Sequence, residues 1–276
     1  MRIAIISDIH GNLEALKATL KNIEKRNVDK IICLGDVIAK GAHSKECIEL
    51  IRKHCEVVLR GNTDRYFSTE HENIEELAED EQKRIRWNQS VLTKEDREYL
   101  LNLPFSCEFY MSGSLVRLFH ATPEVDDKAV INLNDIETKL KMFYPSENTQ
   151  TQETADVVIY GHIHHPYMDR LYNKTLINIG SVGNSFDAIR NFQKDSNVLE
   201  TTKSNYLIIE GEYDSKNYDS DISFQFIKVP YDIDKELEDE NIEKENHQYE
   251  LKNGMYRNMT KVNENFKKLG IDVDTI

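Results

Sequence analysis

Three times in its first third the chain repeats one pattern, and no other feature narrows its possible folds so far. Residues 3–7 form a short β-branched run, a polar turn follows at 8–12, and Leu13, Leu16, Leu20 and Ile23 then share one helical face. Residues 30–34 form a second strand, ending at Gly35-Asp36, and Ser44 is the expected N-cap of a helix carrying Ile48, Leu50 and Ile51. A third strand at 56–59 ends at Gly61-Asn62. Strand–loop–helix units in series predict a right-handed, largely parallel sheet with helices on its faces.

The pattern then changes. From about residue 72 to 103 the chain is helical and charged, an insertion around Trp87, with Thr93 and Asp96 at capping-box spacing and Pro104 as a stop. Residues 107–111 and 115–119 flank Ser112-Gly113-Ser114 as a hairpin, and strands are expected at 155–160, 175–179, 206–210 and 223–229. The predicted fold class is therefore α/β, a sandwich of two packed sheets filling residues 1–230. Within it, residues 184–205 read as a polar loop. Residues 231–276 read as a helical, acidic extension whose Met255, Met259, Val262, Phe266 and Leu269 form an apolar stripe, a candidate for core packing or for self-association into a homo-oligomer. The neighbouring acidic run is read as a solvated face, and His54, His71 and His247 as solvated positions.

Five short motifs end predicted strands or follow them: Asp8-Ile9-His10-Gly11-Asn12, Gly35-Asp36, Gly61-Asn62-Thr63-Asp64, the lone His120, and Gly161-His162-Ile163-His164. Strand carboxyl ends share one edge of an open α/β sheet, and ligands bind there. Asp8, His10, Asp36, Asn62, His120, His162 and His164 can so be brought to one place. Taken singly, either aspartate would be a helix-entry residue, Asn62 a turn former and His120 a packed strand-end histidine. As a set they have the oxygen and nitrogen donors of borderline divalent metals such as Mn, Fe, Zn, Ni or Co, and no cysteine of a structural zinc site. Seven donors exceed the needs of one ion, and a carboxylate such as Asp36 can bridge two.

Charge gives this a purpose. The formal net charge is −14 in 276 residues, which repels phosphorylated substrates and disfavours nucleic acid as a partner. Two divalent ions, offset by two carboxylates and a hydroxide, leave about +1 at the site and invert that field locally. No apolar run is long enough to span a bilayer, the opening residues are interrupted by Asp8 and His10 before an export signal could form, and Cys33, Cys47, Cys55 and Cys107 lack any pairing pattern. A cytoplasmic protein without a membrane partner is expected.

The motif series resembles that of the calcineurin-like metallophosphoesterase superfamily over residues 1–183. The resemblance implies a four-layer αββα fold and a hydrolase that attacks phosphorus with a metal-bridging hydroxide. It places Asp8, His10 and His164 on one ion, Asn62, His120 and His162 on another, Asp36 between them, and Asn62 also against the scissile phosphate. Manganese is the expected metal in vitro. The segment around Trp87, the turn Gly180-Ser181-Val182-Gly183 and the run Val229-Pro230-Tyr231-Asp232-Ile233-Asp234 are similar to those of small bacterial phosphodiesterases, among them diadenosine tetraphosphate hydrolases. One departure stands out. The family's third motif usually carries His after Asn, and here that position is Thr63, which cannot protonate a leaving group near neutral pH. His165 and His43 are the candidate replacement acids, and substrates with good leaving groups (nucleotide phosphates, dinucleoside polyphosphates, aryl phosphodiesters) are expected. Arg190 and Lys194 are candidates for a second phosphate. The alternatives are a protein or small-molecule phosphomonoesterase, and a catalytically silent scaffold of the same fold, like the retromer's phosphoesterase-like subunit.

Overall fold

Ile3 and Ile5 project from one face of the first strand and Ala4 and Ile6 from the other, and all four are fully buried, so the strand lies between two apolar layers. The structure is a computed structural model and describes residues 1–186, 202–254 and 267. In chain order the first half runs β1 (Arg2–Ile6), α1 (Leu13–Glu24), β2 (Lys30–Cys33), α2 (Ser44–His54), β3 (Val57–Val58), α3 (Asn62–Ser68), a 3-10 turn (Ile74–Glu76), α4 (Glu79–Val91), α5 (Lys94–Leu101), β4 (Ser106–Met111) and β5 (Ser114–Phe119). The second half adds α6 (Ile136–Lys141), β6 (Val157–Tyr160), β7 (Tyr167–Leu171), β8 (Lys174–Asn178), β9 (Ser204–Glu210), β10 (Ser223–Val229), α7 (Ile233–Glu236) and α8 (Lys244–Asn253).

The strands form two mixed five-stranded sheets, in the orders β10-β9-β1-β2-β3 and β4-β5-β6-β8-β7. β1, β2 and β3 are parallel, as are β5, β6 and β8, while antiparallel strands flank each set. Ile3, Ile5, Ile32 and Leu34 meet Val116, Leu118, Ile159 and Ile177 between the sheets. The opposite face of the first sheet packs Ala4, Ile6 and Cys33 against Leu16 and Ile23 of α1 and Ile48 and Ile51 of α2. The outer face of the second buries Phe119, Tyr160 and Leu176 with Met142 and Phe143. This is the expected two-sheet sandwich with helices around it. Its parallel strands send the ends of β1, β2 and β3 and those of β5 and β6 to the motif-bearing loops.

Several local expectations stand. β4 and β5 pair antiparallel, with Met111 opposite Ser114 across the turn. Thr93 Oγ1 accepts from the Asp96 N–H at 3.1 Å and Asp96 Oδ2 from the Thr93 N–H at 2.9 Å, the reciprocal capping box. Others are corrected. The cap of α2 is His43, and Ser44 instead uses Oγ to accept the Ala39 N–H at 3.2 Å. β7 escaped the sequence reading because its residues Tyr-Met-Asp-Arg-Leu alternate only weakly, as suits an edge strand with one face in water. His247 is buried rather than solvated, and the acidic run contributes Glu236, Glu243 and Glu250 to the interior. Helical period alone cannot tell which polar side chains a neighbouring loop will cover. Most of the expected 184–205 loop, with Arg190 and Lys194, and the stripe from Met255 to Leu269 lie outside the described residues. No helix among the described residues is long and apolar enough to cross a membrane.

Candidate metal centre

Each motif begins where a strand ends, and the backbone there turns abruptly. Asp8, His10, Asp36, His162 and His164 all have positive φ, between 52° and 67°. For residues with a Cβ this left-handed conformation costs about 1–2 kcal/mol each, tolerated best by Asp, Asn and His. The strain is held by the surrounding chain. The Asp8 N–H donates to the Gly35 carbonyl at 3.0 Å, and the Asp64 carboxylate accepts the N–H groups of Asp36 at 2.7 Å, Val37 at 2.9 Å and Gly61 at 3.0 Å. Two glycines are demanded by crowding: a Cβ on Gly61 would collide with the Asp36 carboxylate, and one on Gly161 would strike Ser7 and Asp8.

All seven sequence-predicted donors meet. His10 Nε2 lies 3.0 Å from His164 Nε2 and 3.5 Å from Asp36 Oδ2, and His164 Nε2 lies 3.2 Å from Asp8 Oδ1. Ligand atoms of Asp8, His10, Asp36 and His164 fall within 4.8 Å of one another, and all four residues are buried. On the other side of Asp36, His120 Nε2 is 3.5 Å from Oδ1. Asn62 Oδ1 faces both His120 Nε2 at 3.1 Å and His162 Nδ1 at 3.0 Å.

The outward nitrogens of three rings are taken by backbone carbonyls, which can only accept. His10 Nδ1–H donates to Ile38 at 3.2 Å, His120 Nδ1–H to Leu34 at 3.0 Å and His164 Nδ1–H to Asn184 at 2.8 Å. Tautomers are thereby set, and the Nε2 atoms turn inward. Asp8 Oδ1 is buried without a hydrogen-bond partner. Two imidazole nitrogens and two carboxylates converging in one buried space suit a divalent cation.

Electrostatics point the same way. Burial opposes the Asp8 anion, yet His164 beside it holds the carboxyl down at about 2. Asp36 is likewise held well below the usual carboxylate range, against its burial, chiefly by His120. Burial lowers His10 to about 3 and, with the charge of His120, His162 to about 4. At His120 burial is outweighed by the Asp36 carboxylate, which pushes the imidazole up to about 10. In the absence of a metal the proton on His120 supplies positive charge that Asp36 demands, and metal binding would release it.

Thr63 uses its N–H on Asp36 Oδ1 at 2.8 Å and its hydroxyl on the Ile38 carbonyl at 3.3 Å. His165 is half-buried, its Nδ1–H donating to the Phe186 carbonyl at 3.1 Å. His43 Nε2 lies 3.2 Å from Asp239 Oδ2. Two contributors went unassigned in the sequence reading: Asp64, whose carboxylate knits the second and third motifs, and Asn184, whose carbonyl orients His164. Asp64 stands inside a quoted motif and could have been singled out; nothing in the sequence marks a backbone carbonyl.

A model of the calcineurin-like phosphoesterase superfamily domain matches residues 1–204. An uncharacterized protein of Methanocaldococcus jannaschii is 30% identical over 251 residues, which cover 86% of this chain and 90% of that one. Among solved structures, a metallophosphoesterase from Sphaerobacter thermophilus aligns with a TM-score of 0.62 at 23% identity, covering 86% of this chain and 92% of that one. A hypothetical protein from Pyrococcus horikoshii aligns at 0.65 with 17% identity, over 85% and 90%. The last two likenesses concern the fold.

Proposed function

The chain belongs to the calcineurin-like phosphoesterase superfamily, and on that footing we propose that it hydrolyses phosphodiester or phosphoanhydride bonds of small molecules at a two-ion centre. A phosphoesterase with a divalent-metal site is what the family and the buried Asp/His cluster establish. The two-ion reading rests on one observation: Asp36 turns Oδ2 to His10 and Oδ1 to His120, at 3.5 Å each. Asp8, His10 and His164 would hold one ion, Asn62, His120 and His162 the other, and Asp36 both. Mn, Fe, Zn, Ni and Co all suit these donors. When bound, such a pair supplies Lewis acidity and lowers the pKa of water toward neutrality.

The remaining chemistry belongs to side chains. Asn62 presents Oδ1 to two imidazoles, which leaves its Nδ2 to donate to a phosphate oxygen. The Thr63 hydroxyl is turned to a backbone carbonyl and offers the leaving group no proton. His165 has Nδ1 committed to a carbonyl and Nε2 available, and we assign it the proton transfer ahead of His43, which Asp239 already engages. The missing third-motif imidazole favours substrates whose leaving groups depart without strong acid help, dinucleoside polyphosphates and aryl diesters among them. The four free cysteines support a reducing, cytoplasmic setting. Phosphomonoester hydrolysis is the second reading, supported by the same donor set. A silent scaffold predicts eroded ligands, and all seven donors are in place.

The test is a panel of bis-aryl phosphate, aryl monophosphate, dinucleoside polyphosphates, cyclic nucleotides and phosphopeptides, assayed with Mn2+ and with the other metals, beside metal analysis of the purified protein. Preference for diesters or anhydrides with near two ions per chain is expected. Turnover confined to monoesters, or one ion per chain, would overturn the reading.

A further inference from the structure

The loop carrying Asp8 and His10 is laced to the loop carrying Asp36. His10 N–H donates to the Asp36 carbonyl at 2.9 Å, Gly11 N–H to Val37 at 2.9 Å, Gly41 N–H to His10 at 2.8 Å and His43 N–H to Gly11 at 3.1 Å. The backbones of Gly11 and Gly41 touch so closely that a Cβ on Gly11 would lie 2.8 Å from the Gly41 oxygen. At this pinch point the C-terminal part of the chain arrives. Glu236, in α7, accepts the Glu14 N–H with Oε2 at 3.2 Å, at the amino end of α1. Its Oε1 stands where a Cβ on Gly41 would be only 2.9 Å away.

The Glu236 side chain is wholly buried, and Oε1 has no hydrogen-bond partner. His247 Nε2 lies 3.9 Å from it, and neither ring nitrogen of His247 is hydrogen-bonded. Neighbouring contacts fasten the same loops. Lys40 Nζ meets Glu250 Oε2 at 3.1 Å, His43 meets Asp239, and the Tyr231 hydroxyl accepts from Asn12 Nδ2 at 3.2 Å. The matched family domain ends at residue 204, so every one of these partners comes from chain beyond it.

An unmatched buried acid costs stability, and an apolar residue of similar volume would pack there without that cost. We propose that Glu236 is a positioning residue for the metal centre. By bearing on Gly41 and on the amino end of α1, it holds the Asp8–His10 loop against the Asp36 loop and sets the spacing of their ligand atoms. It touches neither ligand nor substrate. The inference rests on the metal reading above, and its test needs no turnover.

The measurement is Mn2+ affinity of the full-length protein by competition with a chelator, beside circular dichroism and Tm in chelator. Glu236→Gln, which keeps the shape and the acceptor for Glu14, is expected to bind within about threefold of wild type, and Glu236→Ala about tenfold or more weakly, the range in which outer-shell groups act on metal affinity. Glu236→Leu fills the volume and removes the unmatched oxygen, so it folds even if the alanine variant does not. It is expected to keep the wild-type circular dichroism yet still weaken Mn2+ binding. Lys235→Ala removes an exposed 3.0 Å pair to Glu14 from the same helix and is expected to leave affinity unchanged. A folded Glu236→Leu protein that binds Mn2+ like wild type overturns the proposal while the metal centre stands. A wild-type protein that takes up no Mn2+ overturns the metal reading, and this inference with it.

Discussion

His10 and His164, 154 residues apart in sequence, point their Nε2 atoms at each other across 3.0 Å. Backbone carbonyls hold both Nδ1–H groups from behind. Neither ring can rotate to relieve the opposition without losing that hydrogen bond. The pair is placed as half of the proposed coordination shell would need.

Removal of either ring should therefore act on metal before it acts on fold. His164→Ala and His10→Ala are expected to lower bound metal per chain and to reduce phosphodiester turnover by about a hundredfold or more, since Lewis-acid activation is lost with the ion. Elemental analysis of the purified variants, read beside their circular dichroism, checks this. Full metal content in a folded His164→Ala protein would refute it.

Stripping the metal should destabilise the wild-type protein. The buried acceptors around Asp8 and Asp36 are then left facing one another, and a ligand bound only to the native state raises stability by mass action. The expected result is a Tm in chelator below that in Mn2+, with the difference growing as Mn2+ concentration rises. A Tm indifferent to Mn2+ would count against a metal in this pocket.

Asp64 offers a sharper separation of roles. Its carboxylate serves the N–H groups of Asp36, Val37 and Gly61. In Asp64→Asn one acceptor becomes a donor and opposes a backbone N–H. A loss of about 1–3 kcal/mol in denaturant unfolding is expected from the unsatisfied buried group, together with weakened metal binding.

Thr63→His tests the reading of the third motif. An imidazole there can protonate a leaving oxygen, so turnover of substrates with poor leaving groups is expected to rise relative to aryl diesters, by about tenfold or more if general acid catalysis is restored. An unchanged ratio of alkyl to aryl rates would show that the acid is supplied elsewhere. His165→Ala, expected to slow substrates with poor leaving groups more than aryl diesters, would then identify the source.

Glu236 makes stability depend on pH. Burial, aided by the charge of Glu14, raises its carboxyl from the ordinary 4.5 to about 8. The folded state favours the protonated form, so this contribution is full below pH 4.5 and is lost as pH rises through 8. His247, Glu14, Asp239 and Cys47 face the group, and all are common to wild type and Glu236→Gln. The difference in Tm between the two proteins should therefore move in favour of the glutamine variant from pH 5 to pH 9. A constant difference would show that Glu236 does not titrate in this window.

Much of the chemistry was legible in one dimension. Motifs that end strands must gather at a sheet edge because parallel strands share their direction, so Asp8, Asp36 and His162 could be placed together without coordinates. The continuous apolar run of β1, buried on both faces, and the Thr93–Asp96 capping box follow from short-range geometry in the same way. Period and spacing could not place β7, whose side chains are split between water and protein, nor the covering of His247, Glu236 and Glu250.

What the chain determined alone was the donor set and the layered α/β frame, since both follow from residue type and from periods of a few residues. What only the tertiary structure decided was the apposition: Asp36 turned to two histidine groups, left-handed backbone at five of the candidate donors, and the Glu236 carboxyl set against Gly41. Those relations join residues tens to hundreds of positions apart. They depend on where a loop is pinned by other chain, which no local pattern encodes.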